Sequence, residues 1–169
     1  AAVLGREFEI LILSRMLHED VDLPRKVQRA EEEMIWSALN QLHYIFRHTM
    51  MRDAAYDMQL QTRLQHLHAL AAGVMEQIYA GELAPHYADL AYHYGKANDR
   101  AQAFHYARLA GEEAAARFAN QEAIQHFLQA LQHALYLPPE QIHAERQSVY
   151  ASLGELLVTT GQYEAAQEH

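Results

Sequence analysis

Cysteine is absent from this chain of 169 residues. That removes any disulfide framework or thiolate metal site and fits a reducing compartment, so a cytoplasmic location is expected. Lysine is nearly absent too, with only Lys26 and Lys96, and the formal net charge of −9 excludes a chain-wide footprint for nucleic acid or anionic membrane. No apolar run approaches the roughly 20 residues of a membrane span, and Arg6, Glu7 and Glu9 interrupt anything resembling a signal peptide. Seven glycines and four prolines are too few for a loop-dominated chain, and half of the residues are hydrophobic. A folded, helix-rich protein of one domain or two small ones is expected. An initial Met is also missing. The opening AAVLGREF reads as the inside of a longer polypeptide, and the chain stops a few residues into a helix, so the expectation is an excised fragment.

What is present is a repeated pattern of large and small residues. Tyr87, Leu90-Ala91 and Tyr94 are followed by Ala103, Ala107 and Ala110; Tyr150, Leu153-Gly154 and Leu157 are followed by Gly161, Tyr163 and Ala166. Both sets place the leading tyrosine sixteen residues before an alanine of the next helix. This is the signature of a tetratricopeptide hairpin, in which large residues fill the seam and Ala or Gly sits where helix backbones approach. The phase slips in the middle, because Ala123, Phe127 and Ala130 repeat the second-helix pattern only twenty residues after Ala103. Regular repeats would keep a period of about 34. The helix near 99–118 is therefore expected to serve two neighbours, in an array of irregular curvature. Ala91 and Gly154 are the positions expected to touch a neighbouring helix.

Along the rest of the chain, Phe8, Leu11, Ile12 and Met16 form a helical stripe over 7–18. Pro24 suits the first turn of a short helix from about Arg25 to Glu32. Met34-Ile35-Trp36 and Tyr44-Ile45-Phe46 read as a small β-hairpin, although Leu39 and Leu42 also keep some helical spacing. Helices follow over 48–58, from Leu60 to Tyr79, from Pro85 to Lys96, from 99 to Phe118, from 121 to Tyr136, and from Gln141 to Thr160. A last one begins at Tyr163.

The runs AAVLGREF, YIFRHTMMRDAAYD, LHALAAGVME and ARLAGEEAAARFANQEAIQHFLQAL resemble the region that follows the nucleotide-binding module of bacterial STAND-type signalling ATPases, which are often fused to nucleotide cyclases or transcription-factor domains. The resemblance covers roughly residues 1–136. It implies a winged-helix-like segment over 1–58, with Met34–Phe46 as a short wing, leading into a tetratricopeptide-like helical array over 59–169. The expected fold class is thus all-α with a possible short β-hairpin. It also implies ATP or ADP as ligands of the parent protein, with no cofactor in this stretch, since no GxxxxGK[ST] loop is present to cradle phosphates.

By position in that family, His48, with Arg47 and Arg52, looks like a group that senses bound nucleotide, and Arg and His can donate charge-assisted hydrogen bonds to phosphate. The bland alternative is that they anchor the wing to the next helix through Asp53 or backbone carbonyls. Tyr87, Tyr92, Tyr94 and Tyr106 would line an inner face suited to a peptide or helix, or would simply pack. Twelve histidines invite a metal reading, and Glu122 and His126 share a helix face, but no HExxH or compact trio supports zinc. No nucleophile–base–orienter set is traceable, so no catalytic residue is assigned. Arg25, Lys26 and Arg29 give one basic helix face, but Glu31, Glu32 and Glu33 follow directly and would repel phosphates. The leading expectation is a non-catalytic regulatory module that binds protein, peptide or neighbouring domains of its own polypeptide. A DNA-binding regulator fragment and an accessory part of a cyclase or ATPase stay open. Contact between two copies through Leu156 or Leu157 at the cut end is a further expectation.

Overall fold

Glu7-Phe8-Glu9 does not open a helix as its place in the apolar stripe suggested. It forms a strand, β1 (Glu7–Glu9), and only then does the chain turn helical in α1 (Ile10–Met16). The helix α2 (Leu23–Glu32) follows with Pro24 in its first turn, then β2 (Trp36–Ala38) and β3 (His43–Phe46). The structure, a computed structural model, describes residues 1–18 and 20–161. The three strands form one antiparallel sheet in the order β1-β3-β2, with Phe8 opposite Tyr44 and Ser37 opposite Ile45. Asn40 shapes the hairpin loop: its side-chain oxygen accepts the backbone N–H groups of Leu42 at 2.8 Å and His43 at 2.9 Å. The hairpin reading of 34–46 therefore holds, and the helical alternative fails.

The chain thus runs strand, two helices, then two strands, with β3 central in the sheet. The core of this part joins Phe8, Leu13, Leu23, Val27 and Phe46, with Trp36 and Tyr44 packed against them. The Trp36 ring lies edge-on to Phe8 at 5.0 Å and to Phe46 at 5.9 Å. Its buried indole N–H meets no acceptor and is surrounded by these rings instead. Two further helices complete the first unit, α3 (Thr49–Asp57) and α4 (Gln61–Ile78). Because α4 packs against α1, the first unit extends over Ala1–Ala80 and the second over Gly81–His169. The boundary expected at 58 falls inside the first unit, which includes α4.

The second unit opens with a 3-10 turn at Ala84–His86 containing Pro85, followed by α5 (Tyr87–Ala97), α6 (Arg100–Ala116), α7 (Asn120–Ala134) and α8 (Pro139–Thr159), the last kinked at Ile142. The helix α6 packs against both α5 and α7, and α7 also packs against α8. One helix serves two neighbours, as the slipped phase suggested. The seam is built from small residues: Ala91, Ala103, Ala107, Ala114, Ala123 and Ala130 are fully buried. The closest approach is at Gly111, where an added Cβ would stand 2.6 Å from the Phe127 ring, so that ring rests on the backbone of α6. Gly95 is similar, with the His133 ring 3.2 Å from where a Cβ would be.

At Gly154, by contrast, an added Cβ would meet nothing within 4 Å among the described residues, and the neighbour expected to touch it lies outside them. Leu157 is buried and Leu156 is half-buried. The helix expected from Tyr163, including Ala166, lies outside the described residues.

Three helices end in the same way. After α2, α5 and α6 the chain places Met34 (φ 57°), Asn98 (φ 65°) and Phe118 (φ 60°) in the left-handed region. In each case two N–H groups fold back on the last turn, as when Phe118 donates to the Ala115 carbonyl and Ala119 to that of Ala114, both at 2.9 Å. This is the Schellman ending, for which Gly or Asn is the economical residue. Met34 and Phe118 occupy it with large, exposed side chains.

Candidate functional site

The sequence proposed Arg47, His48 and Arg52 as one phosphate-facing group. They follow one another from the end of β3 into α3, but their side chains take separate work. The Arg47 Nε donates to the Ser37 hydroxyl at 2.6 Å, tying β3 to β2, while its backbone N–H donates to the Ile35 carbonyl. Arg52 is half-buried: it pairs with Asp53 at 2.6 Å, its Nε donates to the Ala2 carbonyl at 3.3 Å, and its guanidinium lies 5.5 Å over the Tyr56 ring. The two arginines therefore anchor the hairpin and α3, through Asp53 and a backbone carbonyl in the second case. His48 differs. It stands exposed at the entrance to α3 and its side chain makes no capping hydrogen bond. Of the three, it is the group presented to solvent at a helix start, where an anion is favoured by the unsatisfied N–H groups.

Behind Arg52 lies a network the sequence did not reveal. His68 is completely buried on α4, and its Nε2 is 2.9 Å from the Tyr56 hydroxyl. The signal was available, because His68 falls on the same face as Leu64, Ala71 and Met75, and a histidine in an apolar stripe needs a partner. A second polar chain crosses the sheet: Tyr79 donates to Glu9 at 2.7 Å, and His43, opposite Glu9 in the register, lies 3.6 Å from the same carboxylate. A mostly apolar cleft of about 420 Å³ lies in this unit, with Met16, Leu17, Tyr56, Arg63 and Leu67 among its walls.

In the second unit, three of the four singled-out tyrosines come together. Tyr94 stacks flat on Tyr106 with ring centres 5.7 Å apart, and Tyr87 lies tilted at 6.0 Å from Tyr106. Tyr106 is buried, so it holds α5 to α6 and offers a partner little surface. Tyr92 is not part of this trio. It is exposed, edge-on to His93 at 5.4 Å, with the Lys96 ammonium 5.6 Å from its ring centre. The groove of four tyrosines is corrected to a structural trio and one exposed ring. Glu122 and His126 do share a face, 3.7 Å apart, with Arg117 on the same carboxylate at 3.5 Å. Among the described residues there is no group of three side chains placed to hold a metal ion.

The basic face of α2, the helix a DNA-binding winged helix would use, is largely neutralised. Lys26 pairs with Asp20 at 2.5 Å and Arg29 with Glu33 at 2.7 Å. Hydrogen bonding to those carboxylates raises the affinity of both cations for their protons and lowers that of Asp20. The chain matches no protein-family model, no curated protein and no solved structure. No helix among the described residues is long and apolar enough to cross a membrane.

Proposed function

We propose that this chain is a non-catalytic regulatory module of a larger signalling ATPase, in which a winged-helix-like segment and a helical-hairpin unit relay or receive a signal through protein contacts. The observation that carries this reading is the order of parts. A sheet in the order β1-β3-β2, built across α1 and α2, is followed by helices seated on one another through alanine and glycine. The resemblance to the STAND-type ATPases supplies the parent, the cytoplasmic setting and the nucleotide. In this reading His48 is the group that meets the nucleotide's phosphates in the parent, and Arg47 and Arg52 hold it in place. The isolated chain is expected to bind ATP and ADP only weakly and to turn over neither, because it lacks a phosphate-cradling loop. Calorimetric titration and a turnover assay test this; tight binding or hydrolysis by residues 1–169 alone overturns it. In the parent, His48→Ala should alter ADP affinity while leaving the fold intact.

The alternative of a DNA-binding regulator draws on the winged-helix resemblance. The carboxylates on Lys26 and Arg29 weigh against it. A gel-shift affinity that falls steeply with salt would support it instead.

A further inference from the structure

The arginines of the second unit are treated differently by the sequence. Arg108 is four residues before Glu112 and pairs with it, and Arg117 is four residues after Glu113 and pairs with it at 2.7 Å. Arg100 has Lys96 four residues before it and Phe104 four residues after, and Lys96 has Tyr92 four residues before it. No carboxylate forms an ion pair with either Lys96 or Arg100 among the described residues. The nearby Asp99 is engaged as the cap of α6, accepting the Gln102 N–H at 3.1 Å.

Arg100 is nevertheless held firmly. Its guanidinium carbon lies 4.8 Å over the ring of Tyr136, and one terminal nitrogen donates to His133 Nδ1 at 3.2 Å. His133 is itself buried against Gly95. Since arginine can only donate, His133 must accept at Nδ1, which fixes it as the neutral tautomer with hydrogen on Nε2. Among the described residues, the remaining edge of the guanidinium, with Nε and the second terminal nitrogen, has donors and no acceptor. A planar donor pair stacked on a ring and fixed at one end is preorganised for a carboxylate, which it can bind through two parallel hydrogen bonds. The exposed Tyr136 adds apolar surface under the guanidinium, and Lys96 lies on Tyr92 at the end of α5.

We propose that this corner, formed by the end of α5, the start of α6 and the end of α7, is a docking site for the carboxylates of an acidic peptide. Arg100 takes one carboxylate on its open edge, and Lys96 supplies a second positive charge. The proposal rests on reading this unit as an interaction surface, and it names the chemistry of the partner. Nucleic acid fits less well, because two cations in a chain of net charge −9 cannot track a polyphosphate.

The test uses the whole chain at low salt, with a blocked tetraglutamate peptide as probe and blocked tetraglutamine as control. The NMR signals of the His133 and Tyr136 rings are followed. The proposal expects saturable shifts with tetraglutamate and none with tetraglutamine. Arg100→Ala should weaken binding roughly tenfold or more, and Arg100→Lys by a smaller factor, since lysine keeps charge without the fork. Arg100→Lys also keeps the stem, so it serves if the alanine variant fails to fold. Absence of saturable shifts, equal shifts with tetraglutamine, or unchanged affinity in the folded Arg100 variants overturns the proposal. Equal affinity for inorganic phosphate also overturns it, reducing the corner to a general anion site. A lowered melting temperature in Arg100→Ala with no peptide response from the native chain overturns it by making Arg100 a structural staple only. None of these outcomes bears on nucleotide turnover, so failure here is distinct from failure of the proposed function.

Discussion

The two units of this chain solve the same packing problem with opposite means. In the first, large rings fill the space between a small sheet and two short helices: Phe8, Trp36, Tyr44 and Phe46 form five ring pairs with centres within 6.5 Å. In the second, helices α5 to α7 approach until alanines and glycines meet side chains of the next helix, as Gly111 meets Phe127. A short sheet leaves gaps that only bulky side chains can close, whereas long helices gain contact along their length when nothing large keeps them apart. The difference predicts opposite sensitivities. The first unit should suffer most from losing volume, and the second from gaining it.

The largest effect is expected from emptying the aromatic core. Phe8→Ala should cost about 3–5 kcal/mol, read as a fall in the denaturation midpoint, because the ring is buried and touched by three other rings. A cost under about 1 kcal/mol would mean that the core collapses around the gap, and the contrast between units would weaken. Next comes filling a seam. Gly111→Leu should cost about 1–3 kcal/mol or more by driving against Phe127, while Gly73→Leu, with open space at its Cβ position, should be nearly silent by comparison. Equal shifts would place the close approach elsewhere.

A third prediction concerns pH. Burial, and secondarily the charge of Arg100, hold His133 below its ordinary value of 6.5. The unfolded chain therefore takes up a proton at this residue before the folded one does. Its contribution is fully present above that ordinary value and is lost as pH falls below it. Melting temperature measured from neutral to mildly acidic pH should fall less steeply in His133→Gln than in the native chain. Parallel curves would show that His133 is not a titrating liability of the seam. The smallest expected effect is a gain. Gly73 lies inside α4 with open space where a Cβ would be, so Gly73→Ala should stabilise by about 0.5–1 kcal/mol.

The helices were legible because their periodicity is strong. The spans over 61–78, 87–97 and 120–134 follow from apolar spacing and from Gly, Pro or Asn at their borders. The strand β1 was not, because its three residues continue the apolar stripe of α1 and are fixed as a strand only by pairing with β3, a contact 36 residues away. The left-handed turns at Met34 and Phe118 were equally obscure, since neither is the glycine or asparagine that marks such a cap, although the helix ends themselves were placed close by. The close approach at Gly111 was missed for a related reason. The repeat pattern locates small residues along one helix, but which of them is pressed depends on how α6 is shared between α5 and α7. In the candidate sites, Arg47 and Arg52 were found by residue type, yet type alone could not show that Ser37, Asp53 and Tyr56 already engage them. Arg100 carried a signal in what its neighbours lack: it has no acid three or four residues away on its helix, unlike Arg108 and Arg117.

The seating of Phe127 on Gly111 is the most direct test of how the second unit is built, and a double-mutant cycle measures it. Gly111→Ala, Phe127→Leu and the pair together would be compared by chemical denaturation. If the ring rests on the α6 backbone, the shortened side chain makes room for the added methyl, and the double variant should be more stable than the sum of the two losses by about 0.5–3 kcal/mol. Additive losses, within about 0.3 kcal/mol, would show that the two residues do not press on one another and would contradict the small-residue seam.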